Sequence, residues 1–284
     1  MPKCWLGKPE QLQRFKDQLE AIDKMTAEID RHRIEPVFSD TIRKRQAWSP
    51  DYTLGDDHVL HRCIDLIAYS NNAKSEIVKP LLASGIFSTI FKEYSVSGSA
   101  SLNPQQVLQS YWPRIKAIRF KYKIGRMIGC AKCLLALQGR RGSFMDYLKA
   151  KNLPLSIRSE QDIDQFWQSF DIIRLDFSAL DFPYFKNFTS LCHLLMDIGF
   201  DCAKPDLAVM KAAVKLKIVP PAPRQRNDPS KAGAHPEVSL RQAIRTMQTY
   251  AICRQTRPAL VDMYFLICGG QTDMKKLVTQ EYYS

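Results

Sequence analysis

Residues 182–217 read FPYFKNFTSLCHLLMDIGFDCAKPDLAVMKAAVKLK, and this stretch predicts two helices joined by a short loop. Pro183 suits a first helical turn because the amide that it lacks would be unpaired there. Apolar residues then recur at helical spacing, and Gly199 predicts the end of the first helix, since glycine adopts the left-handed cap conformation readily. Pro205 disfavours helical geometry in the residue before it, and Asp206 opens the second helix.

Composition limits the class of protein. A chain of 284 residues with 45% hydrophobic and 25% charged residues is globular, with one large core or two small ones. The net charge of +12 favours a polyanionic partner, because lysine and arginine bind phosphates. No stretch has the apolar length of a membrane span, and the opening MPKCWLGKPEQLQRF lacks an apolar signal core. We therefore expect a cytoplasmic protein with no membrane partner, nucleoid-associated in a prokaryote.

Helical periodicity recurs along the chain, whereas no alternating run is bounded by a hairpin turn. We therefore predict an all-α fold. A polar loop is predicted over residues 96–101, and an exposed loop rich in proline and basic residues over residues 220–237. The other predicted helices cover residues 10–32, 58–68, 77–94 with an interruption at Ser84-Gly85, 114–137, 144–149 and 161–170, with one more beginning at Pro104.

The opening stretch resembles the signature of the helix-hairpin-helix DNA glycosylases, the endonuclease III-like superfamily. Residues 182–190 overlie that family's hairpin, Leu-Pro-Gly-x-Gly-x-(Lys or other)-Thr-Ala, without a gap. Asp206 falls where the family has its catalytic aspartate. Tyr184 and Lys186 occupy the two glycine positions of the hairpin, so we do not expect it to offer backbone amides to DNA in the usual way. Phe188 occupies the position of the Schiff-base lysine of bifunctional members, so strand-cleaving lyase chemistry is not expected.

The resemblance implies two helical lobes with a DNA-binding and active-site cleft between them. Residues 74–198 would form a helical barrel that includes the hairpin. Residues 1–73 and 199–284 would form the second lobe, which carries the catalytic aspartate. Asn71 and Asn72 sit where the family has a turn that faces the DNA.

Two interpretations of Asp206 stay open. A Pro-Asp pair commonly starts a helix, and aspartate is a favoured N-cap residue, so Asp206 can be purely structural. As a catalytic residue it would stabilise the positive charge that develops on the sugar when an N-glycosidic bond breaks. The same carboxylate could orient or deprotonate the attacking water, as in glycoside hydrolysis.

Basic residues supply the candidate DNA contacts. If residues 114–137 form one helix, then Lys116, Arg119, Lys123 and Arg126 share a face suited to phosphates. The alternative is an ordinary solvated helix surface. Lys186 is a further phosphate contact implied by the hairpin. Weaker basic signals are Arg43-Lys44-Arg45 and Arg140-Arg141.

The eight cysteines predict buried, reduced thiols. Cys130 and Cys133 form a single CxxC pair without a partner pair, which is a poor zinc site. The superfamily's iron–sulfur loop needs four grouped cysteines, whereas only Cys253 and Cys268 lie near the C-terminus. We predict no metal and no cofactor.

Aromatic residues are core by default, but flipped bases are held between aromatic faces. Tyr184 and Trp112 are the candidates for a base pocket.

These observations predict a monofunctional DNA glycosylase, a hydrolase that flips a damaged or modified base from double-stranded DNA and leaves an abasic site. Its role would be DNA repair or defence against modified viral DNA, and we expect a monomer. The first alternative is a non-catalytic helical DNA- or RNA-binding protein on the same scaffold. The second is a basic helical protein-interaction module.

Overall fold

A computed structural model describes residues 9–31, 53–71, 73–224 and 233–270. Every regular element in these residues is a helix, which confirms the predicted all-α class. None of the described helices combines the length and apolar character required to cross a membrane. In chain order the elements are α1 (Pro9–Arg31), α2 (Asp56–Tyr69), α3 (Ser75–Ala83), α4 (Ile86–Ile90), α5 (Val96–Ala100), α6 (Pro104–Ile115), a 3-10 turn (Lys116–Ile118), α7 (Tyr122–Arg141), α8 (Phe144–Ala150), α9 (Glu160–Ala179), α10 (Phe188–Asp197), α11 (Leu207–Lys215), α12 (Glu237–Arg254) and α13 (Pro258–Cys268).

The chain forms two compact units, and each is built from separate stretches of sequence. The terminal unit comprises Met1–Ser49, Leu155–Asp164 and Gly199–Ser284, and the central unit comprises Pro50–Pro154 and Gln165–Ile198. The central unit therefore begins before residue 74, where the resemblance implies a lobe boundary, and it ends at residue 198.

The terminal unit is organised around α13, which is apolar on most of its surface. Leu260, Val261 and Phe265 are buried, and α13 packs against α1, α11 and α12. The close approach of α13 and α11 depends on Gly269. A Cβ atom at this position would lie 1.9 Å from the carbonyl oxygen of Ala208, so only glycine fits here without a backbone shift.

The central unit is organised around the packing of α2 against α7. Ile64 of α2 and Met127 of α7 are fully buried, as the apolar spacing of both helices predicts. The first turn of α2 is fixed by Asp56, whose Oδ1 accepts a hydrogen bond from the amide of Phe144 at 2.7 Å. Burial raises the pKa of the Asp56 carboxyl.

Several helix ends follow directly from the sequence. Gly199 follows α10 with φ +98°, which confirms the predicted end of that helix. Gly142 follows α7 with φ +80°. Ser143 and Asp146 then form a reciprocal capping box at the start of α8.

The single helix predicted over residues 114–137 is wrong. The chain leaves helical geometry after α6, makes a 3-10 turn, and reaches Arg119 with φ +73° before α7 begins at Tyr122. A residue with positive φ cannot continue a right-handed helix. Periodic spacing across residues 114–126 therefore does not place these residues on one face.

The polar loop predicted over residues 96–101 is also wrong, because α5 occupies most of it. The hydroxyl of Ser95 caps this short helix by accepting from the amide of Gly98 at 3.3 Å. In the segment predicted as an exposed loop, residues 220–224 and 233–236 contain no helix, and residues 225–232 lie outside the described residues.

The Gly269 contact predicts a steric effect on stability. We expect Gly269→Ala to lower the free energy of unfolding by about 3 kcal/mol, because the added methyl group meets backbone rather than a mobile side chain. In the control, Gly139→Ala, the new Cβ has no neighbour within 4 Å and lies within α7, so we expect a gain of about 0.5–1 kcal/mol. Urea denaturation of both variants measures the difference, and equal stabilities would contradict the close approach of α11 and α13.

Candidate functional site

Four side chains of the central unit gather where α2 ends and α7 begins. The side-chain amide of Asn71 donates to the hydroxyl of Tyr122, and Nη1 of Arg119 donates to the Asn71 carbonyl oxygen at 3.2 Å. The Arg126 guanidinium lies over the Tyr122 ring, 4.5 Å from its centroid, which is a cation–π contact. We call Asn71, Arg119, Tyr122 and Arg126 the Asn71 cluster. It combines two cations with an exposed aromatic ring, which suits phosphates and bases.

A buried lysine, Lys123, lies beside this cluster in sequence and contacts the end of α2. Lys123 has no exposed surface, and its Nζ donates to the carbonyl oxygens of Ala68 at 2.9 Å and Ser70 at 2.7 Å. These carbonyls belong to the C-terminal end of α2, where a cation also complements the helix dipole. Burial lowers the pKa of Lys123 to about 8, and the charges of Arg119 and Arg126 add to this effect.

The burial of Lys123 corrects its predicted role. We expected it to contact DNA phosphates from a face shared with three other cations, but its ammonium is enclosed by protein. The cause is the break in the helix before α7, which changes the direction in which each of these side chains points. Lys123 therefore positions the end of α2 and does not form part of the surface.

Backbone geometry at these positions is unusual. Asn71, Arg119 and Tyr184 have φ values of +55°, +73° and +67°. Asparagine tolerates this region, whereas arginine and tyrosine adopt it rarely. Such conformations persist where surrounding contacts impose them, and they concentrate at functional sites. Tyr184 also occupies a position where the resembling family has glycine, a residue that accepts positive φ.

The turn that carries Tyr184 packs tightly on α7. A Cβ atom at Gly129 would lie 2.6 Å from Cγ of Pro183, and Sγ of Cys130 lies 3.6 Å from the Pro183 carbonyl oxygen. Burial raises the pKa of the half-buried Tyr184 phenol, while a hydrogen bond with Ser190 and the charge of Arg126 oppose the increase. The Tyr184 phenol is therefore close enough to Arg126, a member of the Asn71 cluster, for the charge of Arg126 to affect its pKa.

The amides within this turn are used internally. Those of residues 185–187 donate to the carbonyl oxygens of residues 182–184. The side chain of Asn187 donates to the Tyr184 carbonyl oxygen at 3.0 Å and does not cap α10. The first amides of α10 therefore donate no hydrogen bond to the N-cap side chain.

The remaining predicted contacts have different surroundings. Lys186 is exposed and forms an ion pair with Asp181. Lys116 is exposed in the 3-10 turn. Trp112 is half-buried, with Nζ of Lys121 5.7 Å from its ring centroid. Asn72 and the run Arg43-Lys44-Arg45 lie outside the described residues.

Phe188 lies in an aromatic core rather than at a surface. It is only 7% exposed, and its ring stacks on Trp167 with a centroid separation of 5.8 Å. Phe170 makes an edge contact at 5.1 Å, and the Arg174 guanidinium lies 5.8 Å from the ring centroid.

Asp206, in the terminal unit, is the N-cap residue of α11. Its Oδ1 accepts hydrogen bonds from the amides of Ala208 at 3.0 Å and Val209 at 3.1 Å. Its Oδ2 makes no cap contact and lies 3.5 Å from Nζ of Lys204, and the side chain is 18% exposed. One oxygen therefore has the structural role that aspartate often has at this position, while the other remains outside the cap.

The loop before Asp206 is held by buried polar contacts. Asp201 is 5% exposed, and its Oδ1 pairs with Nε of Arg257 at 2.9 Å. Arg257 also donates to the Gly199 carbonyl oxygen at 2.6 Å. The fully buried Asp262 accepts from the Lys204 amide at 2.9 Å. These bonds fix the backbone on both sides of the loop, and so they fix the position of the Asp206 carboxylate.

A second half-buried carboxylate, Asp65, lies on α2. Its Oδ2 is 3.5 Å from Nε2 of His61, whose ring stacks on Tyr94 at 3.9 Å. Burial raises the pKa of Asp65 to about 6. Sequence periodicity gave no signal for this pair.

The thiols of the central unit are not arranged for metal binding. Cys130 is buried, and burial together with its neighbour Cys63 raises its pKa well above the ordinary thiol value. Cys133 is partly exposed, and burial raises its pKa to about 11. Within the described part of the chain, no group of three or more His, Cys, Asp or Glu side chains could hold a metal ion.

Tyr122 is the member of the Asn71 cluster that sequence reasoning missed. It is 46% exposed although it is aromatic. The signal was the alternation of basic and aromatic residues, RFKYK over residues 119–123, which is typical of surfaces that bind nucleic acid.

The buried ammonium of Lys123 predicts a pH effect on stability. Its pKa is lower in the folded chain than the ordinary 10.5, so the unfolded chain binds more protons between these values and stability rises with pH. Relative to Lys123→Met, we expect the free energy of unfolding of the natural chain to rise by about 2 kcal/mol between pH 8 and pH 10. Lys116→Met, at an exposed site, is the control and should show no such trend. Parallel curves for the natural chain and Lys123→Met would contradict the burial of this charge.

Comparisons of this chain with protein-family models, with curated proteins and with solved structures gave no match.

Proposed function

We propose that the protein is a monofunctional DNA glycosylase, which hydrolyses the N-glycosidic bond of an altered base in double-stranded DNA. The observation that carries the proposal is the Asp206 carboxylate, which has one oxygen bound by the helix and the other left outside the cap. The resemblance of residues 182–206 to the glycosylase signature supports it.

The proposed role of Asp206 is electrostatic. Departure of a base leaves positive charge on the deoxyribose, and a carboxylate fixed beforehand stabilises that charge without reorganising. The loop contacts of Asp201 and Asp262 supply that fixation. Oδ2 can also orient the water that attacks the sugar. This chemistry requires neither a metal nor a cofactor.

The proposed DNA contacts belong to the central unit. Arg119 and Arg126 would bind phosphates, and the exposed ring of Tyr122 would stack on a base. Lys186 would contribute as a point charge, since its exposed pair with Asp181 contributes little stability and can exchange for a phosphate. The first amides of α10, to which Asn187 offers no side-chain cap, are a further place for a phosphate oxygen.

The substrate base stays open among alkylated purines, deaminated bases, mismatched bases and the modified bases of viral DNA. The product would be an abasic site in an intact strand, because Phe188 offers no amine. We propose a monomer acting on duplex DNA, in the cytoplasm, for repair or for antiviral defence.

A non-catalytic DNA- or RNA-binding protein is the second candidate. The observation that favours it is that Asp206 has sufficient structural reason to be present, since its Oδ1 satisfies two amides of α11. The Asn71 cluster would serve such a protein equally well.

Asp206→Asn tests catalysis separately from folding. Asparagine caps a helix about as well as aspartate, so we expect the free energy of unfolding and the affinity for duplex DNA to stay nearly unchanged. Base release should fall by a factor of about 10² to 10³, because the charge that opposes the sugar cation is lost. The measurement uses a panel of duplexes, each with one altered base, scored for alkali-labile sites.

Asp65→Asn is the matched control, since it neutralises another half-buried carboxylate. Full base release by Asp206→Asn would remove Asp206 from the mechanism. If the natural chain releases no base from any duplex in the panel but still binds them, the non-catalytic candidate replaces the glycosylase.

The Asn71 cluster predicts the salt dependence of DNA binding. Each phosphate contact adds about 0.9 to the slope of log affinity against log salt concentration. We therefore expect Arg119→Ala to weaken binding to all duplexes about equally and to reduce the slope by about one unit. Lys132→Ala, an exposed lysine farther along α7, is the control and should leave the slope unchanged. An unchanged slope for both Arg119→Ala and Arg126→Ala would show that this surface does not face DNA.

A further inference from the structure

Two aromatic rings stack on one another at the surface where α7 begins. The centroids of the Phe120 and Tyr122 rings are 5.4 Å apart, and the ring planes differ by 17°. Residues two apart on a helix point in different directions, so this pair forms because Phe120 precedes α7 and lies outside helical geometry. Tyr122 is 46% exposed and Phe120 is half-buried. We call Phe120 and Tyr122 the aromatic pair.

A guanidinium group lies against each ring of the aromatic pair. That of Arg119 is 5.3 Å from the centroid of Phe120, and that of Arg126 is 4.5 Å from the centroid of Tyr122. At exposed sites such cation–π contacts are weaker than the stacking of a nucleobase on an aromatic ring. A base can therefore replace a guanidinium on a ring, and the released guanidinium can bind the phosphate of the same nucleotide.

A third ring is connected to the aromatic pair by a lysine. Trp112 of α6 is half-buried, and Nζ of Lys121 lies 5.7 Å from the centroid of its ring. Lys121 is exposed and lies between the two members of the aromatic pair in sequence. Cations and rings therefore alternate in this part of the central unit. We call the six residues the aromatic–basic surface: Trp112, Arg119, Phe120, Lys121, Tyr122 and Arg126.

The faces of aromatic rings select unpaired bases. In a duplex each base is stacked between its neighbours, so a protein reaches the phosphates and the edges of the bases. In a single strand the faces of the bases are accessible, and proteins hold them on aromatic rings within a basic groove. Cations alone would serve to bind a duplex. The rings are therefore the feature that favours a single strand over a duplex at this surface.

We propose that the aromatic–basic surface binds an unpaired stretch of DNA, with Tyr122 and Trp112 each stacking on a base. The inference rests on the proposed function for the identity of the partner as DNA. It narrows the substrate of that function from any duplex to a duplex with an unpaired segment. Binding of this segment does not require base release, so it can be measured with DNA that contains no altered base.

Fluorescence anisotropy with labelled duplexes tests the proposal on the full chain. One duplex is fully paired, and a second of the same length has a central unpaired bubble of about four to eight nucleotides. Both duplexes have the same number of phosphates, so charge does not account for a difference in affinity. We expect the natural chain to bind the bubble duplex at least about tenfold more tightly, because stacking one base on an aromatic ring contributes about this much.

Variants of the aromatic–basic surface show whether the rings cause this preference. Tyr122→Leu and Trp112→Leu should each weaken binding of the bubble duplex by about tenfold and leave binding of the paired duplex nearly unchanged. Tyr122→Phe keeps the ring and should keep the preference. Leu135→Ala is the matched control, because it removes another exposed apolar side chain farther along α7.

The outcomes separate this inference from the proposed function. Equal affinity of the natural chain for the two duplexes would overturn the inference, whereas base release from the paired duplex would leave the proposed function standing. A preference for the bubble that persists in both leucine variants would also overturn the inference. Tighter binding of single-stranded RNA than of single-stranded DNA of the same sequence would overturn the assignment to DNA. A preference that both variants abolish, without release of any altered base, would support the inference and remove the glycosylase.

Discussion

The ion pair between Asp201 and Arg257 is the contact on which the terminal unit depends. Besides this pair, the Asp201 carboxylate accepts a hydrogen bond from the amide of Ile157 at 2.9 Å. The main-chain carbonyl oxygen of Asp201 accepts one from the side chain of Gln248 at 3.0 Å. One residue therefore joins three stretches that are distant in sequence. Because the Asp201 carboxylate is buried, its charge is costly unless its hydrogen bonds are made. The contacts of Asp201 therefore also hold in place the loop that precedes Asp206.

The positions at which these helices begin and end could be predicted, because they depend only on neighbouring residues. Gly199 ends α10 and Asp206 caps α11, and each needs nothing more than its own backbone preference. The break before α7 could not be predicted in this way. It accompanies a tertiary contact that the local sequence does not reveal: Lys123 donates to carbonyl oxygens at the end of α2, more than fifty residues earlier in the chain. A prediction that continues helical spacing across such a break wrongly places Lys123, a buried cation, on the surface.

The same limit applies to the candidate sites. Sequence reasoning identified the residue types of the Asn71 cluster because basic residues are conspicuous, but it could not identify which of them the fold brings together. Asp206 illustrates the opposite case. Its position was clear from the sequence, yet its two oxygens have different surroundings, and the proposed catalytic role depends on that asymmetry.

The surroundings of Phe188 constrain how this chain could change during evolution. Under the proposed function, strand-cleaving lyase chemistry would need an amine at this position, but the ring here is enclosed by Trp167 and Phe170 and has the Arg174 guanidinium beside it. A lysine replacing Phe188 would leave a cavity among the aromatic rings and place a second cation next to an existing one. The intermediate would lose stability before it gained reactivity. Under the proposed function, a gain of lyase chemistry at this position would therefore need compensating substitutions among the residues around it.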